Sequence, residues 1–231
     1  MANPIFLAVD TTDLGKATHV AREAASHIGG IKLGLEFFLY HGRRGYDVMA
    51  DLGLPIFLDL KLHDIPNTVK GGLRAVLGLQ PKYLTVHAQG GAAMVAAARE
   101  QSEAMPGDSR TEIIAVTILT SLDQADINQM GVDGSVADQV ARLGKVAVDA
   151  GADGLVCSPK EITTLRGLIG AEPTLIVPGI RPAGSATGDQ KRVMTPPEAL
   201  TAGASVLVIG RPISEADDPA AAAQAIAESL S

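Results

Sequence analysis

Short runs of apolar and β-branched residues recur eight times along the chain, each bounded by Gly, Pro or Asp. The stretches between them carry apolar residues at helical spacing, and this alternation is typical of a parallel sheet covered by helices. Strands buried on both faces are expected to be almost continuously apolar, as most of these runs are. The predicted strands span residues 5–9, 30–33, 56–60, 83–86, 113–117, 154–157, 175–177 and 206–209.

Eight strand–helix units favour an α/β fold of the closed (β/α)8 type, a TIM barrel, with residues 1–231 forming a single domain. A doubly wound open sheet is built from the same unit, so periodicity alone does not exclude it. The number of strands favours the barrel, and no Gly-x-Gly-x-x-Gly motif follows the first strand. The predicted helices span residues 14–28, 37–49, 68–77, 92–101, 136–150, 160–169, 196–202 and 219–230, and the longer connections are 119–135 and 181–195.

The overall charge and composition limit the classes of partner. Nineteen basic and twenty-six acidic residues give a net charge of -7, which offers no general attraction to nucleic acid or to an anionic membrane. A phosphate group would therefore have to be bound locally. The single cysteine, Cys157, excludes an intramolecular disulfide framework and a cysteine-based zinc cluster. The N-terminus lacks the pattern of a signal peptide and no apolar run reaches membrane-spanning length, so a cytoplasmic location is expected.

Polar residues follow most of the predicted strands, at the end of the barrel where active sites of this fold are assembled. Any one of them could be an ordinary helix cap or turn residue, and that interpretation is favoured for His87 and Ser158. The candidates are Asp10, Lys32, Asp59, Lys61, His87, Thr117, Thr120, Ser121, Ser158, Pro178, Arg181, Gly210 and Arg211.

The third predicted strand ends in alternating charges. Asp59 and Lys61 lie two residues apart, so their side chains are expected on the same side of the strand, facing the barrel mouth. Asp64 follows where the strand has ended. A surface salt-bridge ladder would also give this pattern, but it is an unusual end for so apolar a strand. A lysine between two carboxylates stays an ammonium, and carboxylates beside an anionic substrate create a conflict that loss of negative charge relieves.

The segments after the last two strands have the character of a phosphate site. Gly210 and Arg211 follow the eighth strand, where barrels commonly bind phosphate through backbone amides and guanidinium groups. Arg211 as a simple surface residue is the alternative. Residues 181–192 are rich in small side chains, which suits a mobile lid over a ligand and suits an idle loop equally.

Taken together, these motifs resemble the orotidine 5′-phosphate decarboxylase family, in its bacterial form, along nearly the whole chain. The Asp-Leu-Lys-Leu-His-Asp run of residues 59–64, with the flanking segments, is the most specific match. A bare Asp-x-Lys-x-x-Asp would be shared by related sugar-phosphate barrels. The matching segments span residues 7–10, 31–34, 57–69, 119–121, 177–181, 190–192 and 209–212.

The resemblance implies a reaction and a set of catalytic residues. Orotidine 5′-monophosphate would lose carbon dioxide to give uridine 5′-monophosphate, the last step of de novo pyrimidine nucleotide synthesis, with no metal and no organic cofactor. Lys61 would donate a proton to C6 of the pyrimidine, and Asp59 would crowd the departing carboxylate. Lys32 and Asp64 would complete a Lys-Asp-Lys-Asp network.

The resemblance also implies the binding residues and a homodimer with active sites at its interface. Asp10 and Lys32 would hold the ribose hydroxyls, and Thr120 would contact the pyrimidine. The other implied binding residues are Gln190 between base and phosphate, Arg181, Gly210 and Arg211 on the phosphate, Pro178 beside them, and Asp64, Ile65 and Thr68 reaching the site of the partner subunit.

Two other functions remain open at the level of sequence. A metal-dependent sugar-phosphate decarboxylase or aldol-type synthase of the same superfamily would carry an acidic magnesium ligand on strand two, where this chain has Lys32. A barrel that binds nucleotides without turnover would retain the phosphate site, but retention of all four charged residues argues against it. The role of His63 is left open, since it could be a packed or hydrogen-bonded core residue.

Overall fold

Eight parallel strands pair in chain order, and the eighth closes onto the first. The computed structural model describes residues 3–105, 110–182 and 194–230. The closed sheet confirms the predicted (β/α)8 barrel and removes the open sheet as an alternative. The strands are β1 (Ile5–Val9), β2 (Gly30–Leu33), β3 (Ile56–Leu62), β4 (Tyr83–His87), β5 (Glu112–Val116), β6 (Gly154–Val156), β7 (Thr174–Val177) and β8 (Val206–Ile209).

Strand residues alternate between the barrel interior and the helix-facing side, as the pleat of a strand requires. Each side is apolar, which explains the nearly continuous apolar runs. Phe6 fills the interior beside Gly30, where an added Cβ would lie 2.3 Å from a ring carbon of Phe6. The interior cluster consists of Phe6, Ala8, Phe57, Tyr83, Ile114, Ile176, Val206 and Val208.

Helices occupy all eight predicted intervals, with ends that differ by a few residues. The helix predicted at 14–28 finishes as a 3-10 turn (Ala25–His27), and the one predicted at 160–169 begins as a 3-10 turn (Pro159–Glu161). The main α-helices are α1 (Leu14–Ala24), α2 (Leu35–Ala50), α3 (Pro66–Leu77), α4 (Gly91–Glu103), α5 (Gln124–Gln129), α6 (Val136–Asp149), α7 (Ile162–Ile169), α8 (Pro196–Ala202), α9 (Arg211–Ser214) and α10 (Pro219–Glu228).

Two of these helices were not predicted, and both lie in connections beside the barrel mouth. Helix α5 occupies part of the long connection after β5, and α9 begins immediately after β8. Within the described ranges, no helix combines the length and the apolar character needed to cross a bilayer.

Candidate active site

A cavity of about 540 Å³ lies at the carboxyl ends of the strands. This volume falls within the usual range for small-molecule sites. Apolar interior residues form much of its wall, and charged residues from several strands project into it. The predicted site residues that line it are Asp10, Lys32, Asp59, Lys61, Thr120, Pro178, Arg181, Gly210 and Arg211.

Four of these residues form a row of alternating charge across β1, β2 and β3. The Nζ of Lys32 lies 3.0 Å from Oδ1 of Asp10 and 3.9 Å from Oδ2 of Asp59. The Nζ of Lys61 lies 2.6 Å from the same Oδ2 of Asp59. Lys32 and Asp59 are both buried, and each is paired with opposite charges as buried ions require. The row presents two ammonium groups to the cavity on either side of one carboxylate.

Gly34 makes room for this row. An added Cβ there would lie 2.6 Å from Oδ1 of Asp10 and 2.9 Å from Nζ of Lys32. Any larger side chain would displace the ion pair.

Lys61 reaches the cavity through an irregular backbone. Its φ is +52°, in the left-handed region that residues other than Gly seldom occupy. The pairing of β3 with β4 shifts at this point, from Leu58 opposite Leu84 to Leu62 opposite Val86. Three residues of β3 therefore face a single residue of β4, which is a β-bulge. The two side chains share one side of the strand as expected, but a bulge rather than a regular pleat places Lys61 there.

Thr85, the residue of β4 opposite the bulge, was not selected from the sequence. Its hydroxyl accepts a hydrogen bond from the backbone N–H of Lys61 at 2.8 Å and donates one to Oδ1 of Asp59 at 2.8 Å. The side chain is fully buried. A polar residue in the middle of the strand Tyr-Leu-Thr-Val-His was the signal available in the sequence.

Three of the predicted substrate-binding residues lie outside this cavity. Asp64, Ile65 and Thr68 are all exposed, and the Oδ1 of Asp64 accepts a hydrogen bond from the N–H of Ile65 at 2.6 Å. The charged row in one chain is thus Asp10-Lys32-Asp59-Lys61 and does not include Asp64. Gln190 and most of the segment predicted as a lid lie outside the described residues.

Two guanidinium groups line the cavity on the side of β7 and β8, which are neighbouring strands. Arg181 is buried, and its backbone N–H donates to the carbonyl of Met194 at 3.0 Å. Arg211 begins α9 directly after Gly210. Two fixed positive charges at one end of a cavity are suited to an anionic group of a ligand.

His87 lies at the end of β4 near the charged row, and it does not line the cavity. Its ring stacks on that of His63, with the ring centroids 5.3 Å apart. Burial lowers the pKa of His87, and the nearby His63 and Lys61 lower it further, while Asp59 opposes them. His87 occupies the N-terminal cap position of a 3-10 turn (Ala88–Gly90), as expected of a cap or turn residue, although its side chain makes no capping hydrogen bond.

Some cavity residues were not recognised from the sequence as site residues. Among them are Lys16, on α1, and Cys157, just after β6. Within the part of the chain that the structure describes, no group of three or more His, Cys, Asp or Glu side chains is arranged to hold a metal ion.

The chain is similar to known proteins over nearly its whole length. Residues 3–226 match the orotidine 5′-phosphate decarboxylase/HUMPS family. An orotidine 5′-phosphate decarboxylase of Rhodospirillum rubrum is 55% identical over 97% of this chain and 93% of its own length. One from Novosphingobium aromaticivorans is 52% identical over the full length of both. The crystal structure of the Lactobacillus acidophilus enzyme of that name superposes with a TM-score of 0.84 at 36% identity, covering 99% of each chain.

Proposed function

The chain belongs to the orotidine 5′-phosphate decarboxylase/HUMPS family, and we propose that it decarboxylates orotidine 5′-monophosphate with Lys61 as the proton donor. The product would be uridine 5′-monophosphate, so the reaction serves pyrimidine nucleotide synthesis. We infer the substrate from similar proteins, which are named orotidine 5′-phosphate decarboxylase. The observation that carries the role of Lys61 is its ammonium group, held in the cavity 2.6 Å from Asp59.

The charged row supplies the chemistry of this proposal. The bond between C6 and the carboxylate breaks, carbon dioxide leaves, and the electron pair stays on C6. The ammonium of Lys61 then transfers a proton to C6. Asp59 repels the substrate carboxylate in the ground state, and this repulsion disappears as carbon dioxide departs. Lys32, 3.9 Å from Asp59, keeps that carboxylate in place. The charges are fixed before the reaction, which is how a site without an electron sink stabilises a carbanion.

The remaining cavity residues account for binding. Asp10 and Lys32 hold the ribose hydroxyls, Thr120 contacts the pyrimidine, and Arg181 and Arg211 bind the phosphate. Gly210 and Pro178 line the cavity on the same side, and Gln190 joins base and phosphate. Binding energy from the remote phosphate helps to hold the reacting carbon against Lys61.

The second candidate function, a metal-dependent sugar-phosphate reaction, is disfavoured by β2. Lys32 is buried there between two carboxylates, Asp10 and Asp59. Its ammonium occupies the position from which a magnesium ligand would act, and it would repel a divalent cation. A barrel without turnover is disfavoured because the row retains both lysines in contact with Asp59.

We further propose a homodimer in which Asp64 of the partner subunit completes the network. The support is a set of exposed large apolar side chains: Ile65, within the segment 64–68, is 67% exposed, and Leu39 and Tyr40 on α2 are 77% and 68% exposed. Large apolar side chains on a surface, where they form a patch, commonly mark a protein interface. The exposed Asp64 and Thr68 would then contact the substrate bound to the neighbouring subunit.

The test is to follow the loss of ultraviolet absorbance of orotidine 5′-monophosphate with the purified protein, with and without a chelator. We expect turnover that a chelator does not change, and loss of at least about a thousandfold in kcat for Lys61→Ala, since proton transfer and electrostatic stabilisation are both removed. Absence of turnover would overturn the proposed reaction. Normal turnover in Lys61→Ala would overturn the proposed proton donor.

A further inference from the structure

Thr85 connects Asp59 and Lys61, the last two residues of the charged row, although it does not line the cavity. Its one hydroxyl bonds to the backbone of Lys61 and to the carboxylate of Asp59. We infer that Thr85 is a positioning residue, which fixes both the left-handed backbone of Lys61 and the orientation of the Asp59 carboxylate. The inference rests on the proposed function, because it assigns Thr85 a role in the proton donation by Lys61.

The directions of the two hydrogen bonds are determined. The backbone N–H of Lys61 can only donate, so the threonine hydroxyl accepts from it. The single hydroxyl proton is therefore available for Oδ1 of Asp59, which lies 2.8 Å away. Oδ2 of Asp59 faces the Nζ of Lys61 and that of Lys32. With one oxygen held by Thr85, the other is aimed at the ammonium groups in the cavity.

The bulge explains why a side chain is required at this place. Three residues of β3 lie opposite Thr85 alone, so the regular ladder between β3 and β4 is interrupted. The N–H of Lys61 is paired instead with the threonine hydroxyl. A left-handed backbone in a residue other than Gly persists when its surroundings hold it in place. Thr85 supplies that restraint from a fully buried position.

The alternative is that Thr85 only stabilises the barrel, as any buried and hydrogen-bonded threonine does. Thr111 provides the comparison within the same chain. It is buried, and its hydroxyl donates to the carbonyl of Pro81 at 2.7 Å, just before β5 and away from the charged row. Thr85→Val and Thr111→Val each remove one hydroxyl at nearly constant shape. Both leave buried polar partners unpaired.

The experiment compares kcat and KM for orotidine 5′-monophosphate in Thr85→Val, Thr85→Ser, Thr111→Val and the unmodified protein, with melting temperatures measured alongside. We expect Thr85→Val to lower kcat by about tenfold or more while KM changes by less than about threefold, because an interaction specific to the transition state is weakened. Thr85→Ser retains the hydroxyl and is expected to restore most of kcat. Thr111→Val is expected to lower the melting temperature without lowering kcat.

A smaller substitution provides a second variant. Should Thr85→Val fold poorly, Thr85→Ala removes the same hydroxyl with less bulk.

Normal kcat in the folded valine or alanine variant would overturn the inference, as would a serine variant as impaired as the valine variant. An equal loss of kcat in Thr111→Val would assign the effect to stability alone and would also overturn it. Lys61→Ala distinguishes a failure of the positioning role from a failure of the proposed proton donor. If Lys61→Ala is inactive and Thr85→Val is normal, only the positioning role fails. If Lys61→Ala is active, the proposed proton donor itself fails.

Discussion

At the scale of single residues, the site depends on side chains held in conformations that a regular strand does not provide. Lys61 has a left-handed backbone and contacts Asp59 through its Nζ. Gly34 leaves the space that the Asp10–Lys32 pair occupies. Lys61 adopts an unusual backbone conformation and Gly34 lacks a side chain, and both features allow charged groups to lie in the cavity. Substitutions at them should therefore affect the geometry of the row before they affect the barrel.

The histidine pair beside the row predicts a pH effect. Burial, His63 and Lys61 all lower the pKa of His87, so His87 should be neutral at pH 7 and titrate below the value of an exposed histidine, about 6.5. NMR titration of its ring protons measures this directly. His63→Gln removes one of the neighbours that lower this pKa and is expected to raise the midpoint of His87. A midpoint at or above that of exposed histidines would contradict the prediction.

The same shift sets the sign of a stability effect. The folded protein binds a proton at His87 less readily than the unfolded chain does, so acidification favours unfolding. The contribution of neutral His87 to stability is complete at a pH well above the pKa of this residue in the unfolded chain. It is lost as the pH falls through that pKa towards the lowered pKa of His87 in the folded protein. His87→Gln should reduce the decrease of the melting temperature between pH 7 and pH 5.

At the scale of elements, a group of charges joins α4, β5 and the turn before β6. The carboxylate of Asp153 accepts from Arg99 at 2.6 Å, from Arg110 and from the backbone N–H of Ile113 at 2.8 Å. Its side chain is only 11% exposed. Asp153→Ala leaves two guanidinium groups and an amide without this partner, and we expect it to lower the free energy of unfolding by about 3 kcal/mol. Denaturant unfolding monitored by circular dichroism provides the measurement.

A matched control is available on the surface of α6. Asp149 pairs with Lys145 one helical turn away at 2.5 Å, and both side chains are more than half exposed. Asp149→Ala should change the free energy of unfolding by less than about 0.5 kcal/mol. Equal effects of the two substitutions would show that the Asp153 group does not join these elements.

The barrel was predictable from sequence because apolar runs on eight strands report burial on both faces. Helix α9 was missed because Gly210, Arg211 and Pro212 indicated a loop, although Pro is compatible with the first turn of a helix. Helix α5 has only six residues and too little periodicity, and its capping residues Asp123 and Asp126 were the available signal. Local sequence patterns record burial well and short connecting helices poorly.

The site was predictable where its residues belong to a specific motif, as for Asp59 and Lys61. The role of Thr85 was not, because it depends on which residue of β4 lies opposite the bulge. Pairing register between strands is a tertiary property. The positive φ of Lys61 could not be predicted from the sequence either, because lysine has no preference for that region.

At the scale of the whole molecule, the cavity and the predicted site do not coincide within one chain. The cavity contains the residues proposed for the base, ribose and phosphate, while Asp64 and Thr68 are exposed outside it. The apolar side chains of Leu39, Tyr40 and Ile65 lie exposed. A twofold dimer that buries these side chains would bring the outer residues of one subunit to the mouth of the other, because both partners use the same surface.

Subunit mixing tests this arrangement. Lys61→Ala and Asp64→Ala chains with different tags are co-expressed, and the mixed dimers are isolated by two successive affinity steps. If Asp64 acts across the interface, one site of each mixed dimer has both defects and the other has none. The mixed dimer should then show about half the activity of the unmodified dimer, although each variant alone is strongly impaired. Dimers carrying both tags on Lys61→Ala chains provide the inactive control.

The outcome distinguishes the geometries because the two defects are distributed differently. If Asp64 served its own subunit, each site of the mixed dimer would carry one defect, and the activity would stay at the level of the separate variants. A failure to isolate any dimer carrying both tags would contradict the dimer itself. Half activity, in contrast, requires Lys61 and Asp64 of one functional site to come from different chains, since no other pairing leaves a site intact.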